Sequence, residues 1–405
     1  MIDRRELGRR LRRAREACGL TQQQVAERLG VSRATVAQME LGNREVSSLE
    51  LDRLAYLYGR DIRSFLSPRF DAEDALTVLF RADPELAGDE AVAAELRRYV
   101  ALGRELSALE ELLGAGCECC VPAQYPLPPP ESRWEAVRQG ERIAQEERSR
   151  LGLGDCPIPD LAALVEAQGV RAATVDLPEG VSGLTIREEG VGILVMVNRR
   201  HGVLRRRFSY AHEYAHVLLD RDRVGTVSRS ADRGTLLEVR ANAFAAAFLM
   251  PAERVHGLLA CLGKGRPARP VVEVYDEEAV VRGRHRARRG PQPVQIFDVV
   301  QLAHVFGVST QAALYRLRSL RLVSEEEFDG LRLQVEQGVD RTARGIMCLP
   351  DPEAQYPPHT ELHGRFMALA VAAYQQELIS RAKLMELVAL ARVPEREVLR
   401  LLGET

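Results

Sequence analysis

Two histidines four residues apart, with a glutamate between them, are the residues of this chain best suited to chemistry. They form the run His212-Glu213-Tyr214-Ala215-His216. On an α-helix this spacing places both imidazoles on one face, one turn apart, where two ring nitrogens can bind one Zn²⁺. Glu213 lies about 100° around such a helix from His212. It therefore cannot be a ligand in line with them, but it can accept a proton from water as the general base of a metal-assisted hydrolysis.

A catalytic zinc needs a third protein ligand and one open position. The sequence offers Glu238 near the start of a predicted helix over Leu236–Met250, with Asn242 on the same face one turn later. Together with His212 and His216, Glu238 would complete a His₂Glu site of the thermolysin type. Two other interpretations stay open. The histidines could be hydrogen-bonded core residues, and Glu238 could be a solvated carboxylate favoured by the helix dipole.

The helix that must carry the two histidines is predicted over Arg205–Leu219, and its surface is apolar on most sides. A helix buried in this way keeps polar side chains only if something satisfies them. In the second helix, Ala241 and Ala245 share a face and allow a neighbouring helix to approach closely. Three apolar runs bounded by turn residues predict strands, at Val170–Val175, Ser182–Arg187 and Gly192–Val197. We expect a small antiparallel sheet beside the helix that carries the two histidines, with an edge that could pair with a substrate peptide.

These two motifs resemble the ImmA/IrrE family of metallopeptidases. The first reads Arg205-Arg206-Arg207-Phe208-Ser209-Tyr210-Ala211-His212-Glu213-Tyr214-Ala215-His216, and the second runs from Glu238-x-x-Ala241-Asn242-x-Phe244-Ala245 to Met250-Pro251. The resemblance covers about residues 134–322. It implies a zinc-dependent hydrolase with the metal on His212, His216 and Glu238, Mn²⁺ as an alternative metal, and Glu213 as the base.

A different motif lies near the N-terminus. It reads Thr21-Gln22-x-x-x-Ala26-x-x-x-Gly30-Val31-Ser32-x-x-Thr35-Val36-x-x-Met39-Glu40-x-Gly42. This motif resembles the lambda-repressor-like, Cro-type helix-turn-helix domain (the XRE type). The resemblance implies a double-stranded DNA operator, with base contacts from the recognition helix and phosphate contacts from its surroundings. We predict DNA contacts for Gln22, Ser32, Arg33, Ala34, Thr35, Gln38, Asn43 and Arg44.

The first predicted helix, before this motif, is basic. It carries seven arginines, at positions 4, 5, 9, 10, 12, 13 and 15. Arginine suits phosphate contacts, so we expect these side chains to bind the DNA backbone irrespective of base sequence. The alternative is a repressor-like fold used only for contact with another protein.

Turn residues and composition divide the chain into four units. We predict a helix-turn-helix domain at 1–66, a helical connector with a proline-rich linker at 70–133, a metallopeptidase domain at 134–322 and a helical C-terminal domain at 323–405. A Gly-, Pro- and Arg-rich stretch at 263–293 is expected to be a mobile insertion. Its basic run is either a solvated loop or a nucleic-acid or regulatory contact. The fold class is therefore mainly α, with an α+β zincin-like peptidase domain containing a small antiparallel sheet, plus an all-α helix-turn-helix domain.

The connector has an apolar seam with a spacing of three and four residues. The seam consists of Tyr99, Leu102, Leu106, Leu109 and Leu113. It suits either a coiled coil between two chains or packing on the chain's own domain. We expect a homodimer, which would match a roughly palindromic operator.

The Gly30-Val31-Ser32 turn recurs as Gly307-Val308-Ser309 within Val299–Leu320, and Leu387–Leu401 has a related pattern. Both could be further helix-turn-helix modules. Members of the ImmA/IrrE family usually have the Val299–Leu320 element as part of the peptidase unit, so the resemblance implies a structural role for it.

Composition excludes several classes of protein. The 405 residues carry a formal charge of −2, which gives no overall attraction to nucleic acid, so any such attraction must be local. No signal peptide precedes the first helix and no run of about eighteen apolar residues is present, so we expect a cytoplasmic protein without a membrane partner. Seven cysteines argue against a disulfide framework. Cys117, Cys119 and Cys120 are either plain reduced thiols or a redox or metal switch.

Two functions fit these residues. In the first, a zinc-dependent endopeptidase is fused to a DNA-binding domain and cleaves a repressor-type protein, or its own linker within Leu113–Gln124, in a stress or mobile-element switch. Single-stranded DNA or another signal would activate it. In the second, the chain is a transcription factor whose peptidase-like domain only senses a ligand or partner. The presence of Glu213 favours the first, since a pure sensor needs no base.

Overall fold

The computed structural model describes residues 2–18, 20–58, 60, 62–66, 75–115, 121–221, 223, 225–264, 272–276, 279–283, 292–356 and 361–402. Helices dominate, and the strands form one four-stranded sheet and one two-stranded hairpin. The predicted fold class is confirmed. Cys117, Cys119, Cys120 and most of the basic run lie outside the described residues. None of the four described cysteines, Cys18, Cys156, Cys261 and Cys348, forms a disulfide.

The N-terminal unit is a bundle of five helices: α1 (Arg4–Ala17), α2 (Gln22–Leu29), α3 (Arg33–Glu40), α4 (Ser48–Leu57) and α5 (Ile62–Leu66). Side-chain caps fix where its central helices begin. Thr21 forms a capping box with Gln24 at the start of α2, and Ser32 accepts from the backbone N–H of Thr35 at the start of α3. The apolar faces meet in one core that includes Leu11, Val25, Val36, Met39 and Leu54.

Three helices follow: α6 (Ala75–Ala82), α7 (Pro84–Gly88) and α8 (Glu90–Leu112). The apolar seam of α8 is buried against the sheet and the C-terminal helices of the same chain. The hydroxyl of Tyr99, for example, donates to the carbonyl of Thr174 over 3.1 Å. Of the two alternatives for this seam, packing within the chain is the one observed. This seam therefore no longer supports the predicted homodimer, because it is not available for a coiled coil between two chains.

The central part alternates helices and strands. In order it contains α9 (Arg133–Arg150), α10 (Leu161–Glu166), β1 (Val170–Val175), β2 (Val181–Glu188), β3 (Gly192–Asn198), α11 (Val203–Leu219), β4 (Gly225–Arg229), α12 (Leu236–Leu249), α13 (Ala252–Cys261), β5 (Val272–Asp276), β6 (Ala279–Gly283), α14 (Ile296–Phe306) and α15 (Thr310–Ser319). Helix α11 packs on β2 and β3 on one side and on α12 on the other. Helix α11 carries His212 and His216, and we call it the metal helix. It is a buried central element, as its apolar surface predicts.

The sheet has the strand order β1-β3-β2-β4. Strand β2 is antiparallel to β3 and β4, whereas β1 is parallel to β3. The prediction of an antiparallel sheet is thus wrong in one pairing, because β3 folds back from β2 and inserts beside β1. The fourth strand, Gly225–Arg229, was not predicted because its Gly-Thr-Val-Ser-Arg sequence carries little apolar signal.

The C-terminal helices are α16 (Glu325–Glu336), α17 (Val339–Ile346), α18 (Pro352–Gln355), α19 (Glu361–Gln375), α20 (Arg381–Leu390) and α21 (Glu395–Leu401). Helices α16 and α17 pack with α14 and α15, whereas α19 to α21 share a core with α8 and the outer face of the sheet. Residues after 322 therefore contribute to two cores. No helix among the described residues is long and apolar enough to cross a bilayer.

The repeated turn at Gly307 is covered by its own chain. The Arg207 side chain donates to the carbonyl of Gly307 over 3.0 Å, and the ring of Tyr356 lies against the same turn. Arg316 of α15 is also buried, and it donates to the carbonyl of Met250 over 3.1 Å. These contacts agree with a structural role for this second turn.

Candidate metal centre and DNA-binding face

Three side chains from two helices converge on one point. His212 and His216 lie one turn apart on α11, and Glu238 lies in the first turn of α12. The two Nε2 atoms are 3.2 Å apart, and they lie 3.1 Å and 3.2 Å from the two carboxylate oxygens of Glu238. In the described part of the chain this is the only group of three His, Cys, Asp or Glu side chains with such spacing.

The donor set fits a zinc ion. Tetrahedral ligands at about 2.0–2.1 Å from the metal lie about 3.4 Å from one another, close to the distances here. Asn242 Oδ1 lies 3.1 Å from His212 Nδ1, and Asp220 Oδ2 lies 2.7 Å from His216 Nδ1. These acceptors favour the proton on Nδ1 and direct both Nε2 lone pairs to the common point. Electron-pair donors packed this closely need a cation between them.

The charges of the site lead to the same conclusion. Burial disfavours the charged form of His216, but hydrogen bonds to Asp220 and Glu238 outweigh it and raise its pKa to about 10. Burial likewise disfavours ionised Glu238, but hydrogen bonds from the two imidazoles lower its pKa to about 2. The site thus attracts a positive charge, which is a proton when no metal is bound. Glu238 is only 9% exposed, so a solvated carboxylate does not describe it.

Glu213 lies on a different side of α11, against strand β2. Its side chain is completely buried, and Thr185 Oγ1 donates to its Oε2 over 2.8 Å. A Cβ at Gly183 would lie 2.8 Å from Oε1, so only glycine leaves room for this carboxylate. Oε1 has no hydrogen-bond partner among the described residues. A buried carboxylate with one unpartnered oxygen is costly to maintain.

Several residues that support the site were missed by sequence reasoning. Asp220 lies four residues after His216, so helical spacing could have revealed it. Arg240 donates to Asp220 from α12, and Thr185 and Gly183 approach Glu213 from the sheet. These contacts join elements distant in sequence, and no local pattern predicts them.

The predicted DNA contacts lie on α3, its two ends and the start of α2. Arg33, Ala34 and Gln38 are exposed on α3, Thr35 is half-buried there, and Ser32 is exposed as the N-cap. In the loop after α3, Asn43 and Arg44 are exposed. Asn43 donates to the Gln38 side chain over 3.0 Å and Arg44 to Glu50 over 2.8 Å. Gln22 is half-buried, because its amide donates to Glu40 over 2.9 Å.

Two of the seven arginines of α1 do not face solvent, which corrects the expectation for them. Arg10 is buried and donates to the carbonyl of Phe65 over 2.9 Å. Arg15 is buried and donates to Glu40 over 2.6 Å. Both side chains hold the bundle together. The other five, at positions 4, 5, 9, 12 and 13, are exposed.

Two family models match the chain. One, described as a helix-turn-helix domain, covers residues 6–63, and the other, described as an IrrE N-terminal-like domain, covers residues 166–263. The second match contains α11 and α12 and therefore all three candidate ligands. The predicted combination of an N-terminal helix-turn-helix domain with an ImmA/IrrE-type peptidase domain is confirmed. A comparison with curated proteins found no match.

Proposed function

We propose that this chain, a DNA-binding regulator with a metallopeptidase-type domain, uses that domain as a zinc-dependent endopeptidase. The observation that carries the proposal is the buried cluster of His212, His216 and Glu238, with the Glu213 carboxylate held beside β2. A helix-turn-helix unit in the same chain links that chemistry to DNA. The operator is double-stranded DNA, contacted by the exposed side chains of α3.

Each residue of the site has a role in peptide hydrolysis. Zn²⁺ held by His212, His216 and Glu238 would polarise a peptide carbonyl and make water more acidic when bound. Glu213 accepts the proton of the attacking water and returns it to the leaving amide nitrogen. Thr185 occupies one oxygen of Glu213, so the unpartnered Oε1 is the one that takes the proton.

The proposed substrate is a separate repressor-type protein. The alternative, cleavage within Leu113–Gln124 of the same chain, falls partly on residues outside the described part. Downstream of that gap, Arg221 donates to the carbonyls of Pro122 and Ala123, so this backbone is held on the domain surface. A segment bound in this way is a poorer substrate than a mobile loop, which favours cleavage in trans.

Incubation of the full-length protein with candidate repressors, with Zn²⁺ or Mn²⁺ and with or without single-stranded DNA, tests the proposal. Mass spectrometry should detect new repressor fragments with the wild type and none with Glu213→Gln or after chelation. The exposed residue Glu253 provides a matched control, since Glu253→Gln should cleave like the wild type. Fragments formed equally by Glu213→Gln would contradict the assigned base.

A second function, sensing without proteolysis, is favoured by how closed the site is. His212, His216 and Glu238 are only 6%, 4% and 9% exposed, so a peptide can reach them only if the site opens. A sensor would respond to metal without needing Glu213. Equal metal-dependent changes in operator affinity for the wild type and Glu213→Gln, with no cleavage by either, would support it.

A further inference from the structure

His216 is the first member of a chain of buried polar contacts that leads away from the metal centre. Its Nδ1 lies 2.7 Å from Asp220 Oδ2, and Arg240 donates to the other oxygen of Asp220. A second guanidinium nitrogen of Arg240 donates to Gln139 Oε1 over 3.3 Å. The amide nitrogen of Gln139 then donates to the carbonyl of Pro128 over 3.3 Å. Asp220, Arg240 and Gln139 thus form a relay from the ligand to Pro128.

The relay is buried, so its members depend on one another. The side chains of Asp220 and Arg240 are 8% and 3% exposed, and Gln139 is 8% exposed. In such surroundings a charge that loses its partner is strongly destabilised. Arg240 must therefore remain hydrogen-bonded to Asp220, and Asp220 must remain hydrogen-bonded to His216. This arrangement fixes the orientation of the His216 imidazole.

The backbone around the relay leaves little room for adjustment. Helices α9 and α12 cross at Gly140, next to Gln139, where a Cβ would lie only 2.4 Å from the carbonyl oxygen of Arg240. Gln139 and Arg240 are therefore carried by two helices in backbone contact. A displacement at one end of the relay is transmitted because the packed helices cannot absorb it separately.

The outer end of the relay is a segment of extended chain, residues 121–130, which we call the docked segment. Its backbone is tied to the end of the metal helix. The N–H of Tyr125 donates to the carbonyl of Leu218 over 3.3 Å, and Arg221 donates to the carbonyl of Ala123 over 3.1 Å. Side chains at 123, 125 and 127 pack against the core of the domain.

A second buried carboxylate joins the docked segment to the same helix. The Tyr125 hydroxyl donates to Glu147 over 2.8 Å, and the Tyr214 hydroxyl of α11 donates to the other oxygen of Glu147. Tyr214 lies between the two histidines in sequence. The docked segment therefore contacts the metal helix through its backbone hydrogen bond to Leu218 and through two side-chain routes, of which only the relay ends on a ligand.

We propose that Asp220, Arg240 and Gln139 are positioning residues that couple metal binding at His216 to attachment of the docked segment. The inference rests on the metal site of the proposed function. Because coupling is reciprocal, a metal that fixes His216 strengthens attachment, and detachment weakens metal binding by the same factor. The docked segment connects the N-terminal, DNA-binding half of the chain to the metal-binding half. Movement of the N-terminal half can therefore change the occupancy of the metal site.

Zinc affinity of the full-length protein, measured by competition with a chromophoric chelator, tests the relay. Arg240→Met should weaken zinc binding about 10- to 100-fold, as for other groups that orient a metal ligand. Gln139→Ala, which keeps the Asp220–Arg240 pair but removes the hydrogen bonds of Gln139 to Arg240, Pro128 and Glu135, should weaken it by roughly 3- to 10-fold. Gln145 is an exposed glutamine on the same helix, so Gln145→Ala should leave the affinity unchanged.

Hydrogen exchange measures the other end of the coupling. Added Zn²⁺ should slow exchange of the backbone amides at 123–127 in the wild type and in Gln145→Ala, but much less in Gln139→Ala. Wild-type zinc affinity in Gln139→Ala, together with undiminished protection of 123–127, would overturn the proposed coupling but would leave the proposed metal site intact. A wild-type chain that binds no zinc would contradict the metal site itself, and the inference with it. The Gln139→Ala result stands even if Arg240→Met fails to fold.

Discussion

The candidate metal centre and the candidate DNA-binding face are built in opposite ways. In the metal centre His212, His216, Glu213 and Glu238 are all buried, and each has a partner that sets its orientation. On the DNA-binding face the side chains of α3 that would reach base edges are exposed. The first region must be organised before a small ion binds. The second must meet a large, charged partner whose phosphates supply much of the binding energy.

This difference predicts how each region responds to change. A buried site whose members depend on one another should fail completely when one member is lost. An exposed face with many separate contacts should lose affinity in steps that roughly add. Substitutions and pH changes in the two regions test that contrast.

Loss of the ligand imidazoles should abolish metal binding. The His212→Ala, His216→Ala double variant removes two of three protein ligands, so we expect at least about a 1,000-fold loss of zinc affinity, from the central role of each ligand in a three-ligand site. Metal analysis of the purified protein measures this directly. His256 is exposed on α13, and His256→Ala serves as the control. Equal metal content in the double variant and the wild type would exclude the site.

Metal binding should strengthen as pH rises, whereas DNA binding should not. The pKa of His216 in the metal-free chain is raised to about 10, so below that pH a metal must displace a proton. Each unit of pH between about 6 and 8 should therefore increase the apparent zinc affinity about tenfold. The predicted DNA contacts are Arg, Gln, Asn, Ser, Thr and Ala, none of which titrates in that range. Chelator competition and operator binding at matched pH values compare the two regions, and a zinc affinity independent of pH would contradict the prediction.

On the DNA-binding face, substitutions should separate specificity from general affinity. Gln38→Ala removes a side chain placed to read bases, so discrimination at one position should fall by about 1–3 kcal/mol. Arg13→Ala should weaken binding to all sequences alike and reduce the salt slope by about one. Binding isotherms on operator and unrelated duplexes at several salt concentrations measure both. If Arg13→Ala altered sequence preference and Gln38→Ala did not, Arg13 would be the residue that reads bases and Gln38 would not.

The smallest effect should distinguish a structural arginine from a surface one within α1. Arg10 is buried on the carbonyl of Phe65, whereas Arg9 is exposed. Arg10→Ala should therefore lower the free energy of unfolding of the N-terminal unit by about 1–3 kcal/mol. Arg9→Ala should change it by less than about 0.5 kcal/mol. Chemical denaturation followed by circular dichroism tests the pair, and equal stabilities would contradict the stabilising role of Arg10.

In both regions the sequence predicts features that depend on local spacing, but not contacts between elements that are distant in the chain. A spacing of four is enough to place His212 and His216 on one helix face, and the Thr21 and Ser32 caps mark where α2 and α3 begin. Arg10 could have been recognised as buried, because it lies beside Leu11 and three residues from Leu7 on the apolar side of α1. The contact of Thr185 with Glu213 depends on which strands become neighbours, and local periodicity carries no such information. The same limit led to the wrong pairing of β1.

Proton transfer by Glu213, in a site whose metal is held by other residues, is the step on which the proposed hydrolysis depends. Its most direct test is to measure metal content and repressor cleavage on the same preparations of wild type and Glu213→Gln. We expect equal metal content, and a cleavage rate at least about 100-fold lower in the variant, as loss of a general base requires. Cleavage at the wild-type rate by metal-loaded Glu213→Gln would contradict this role of Glu213.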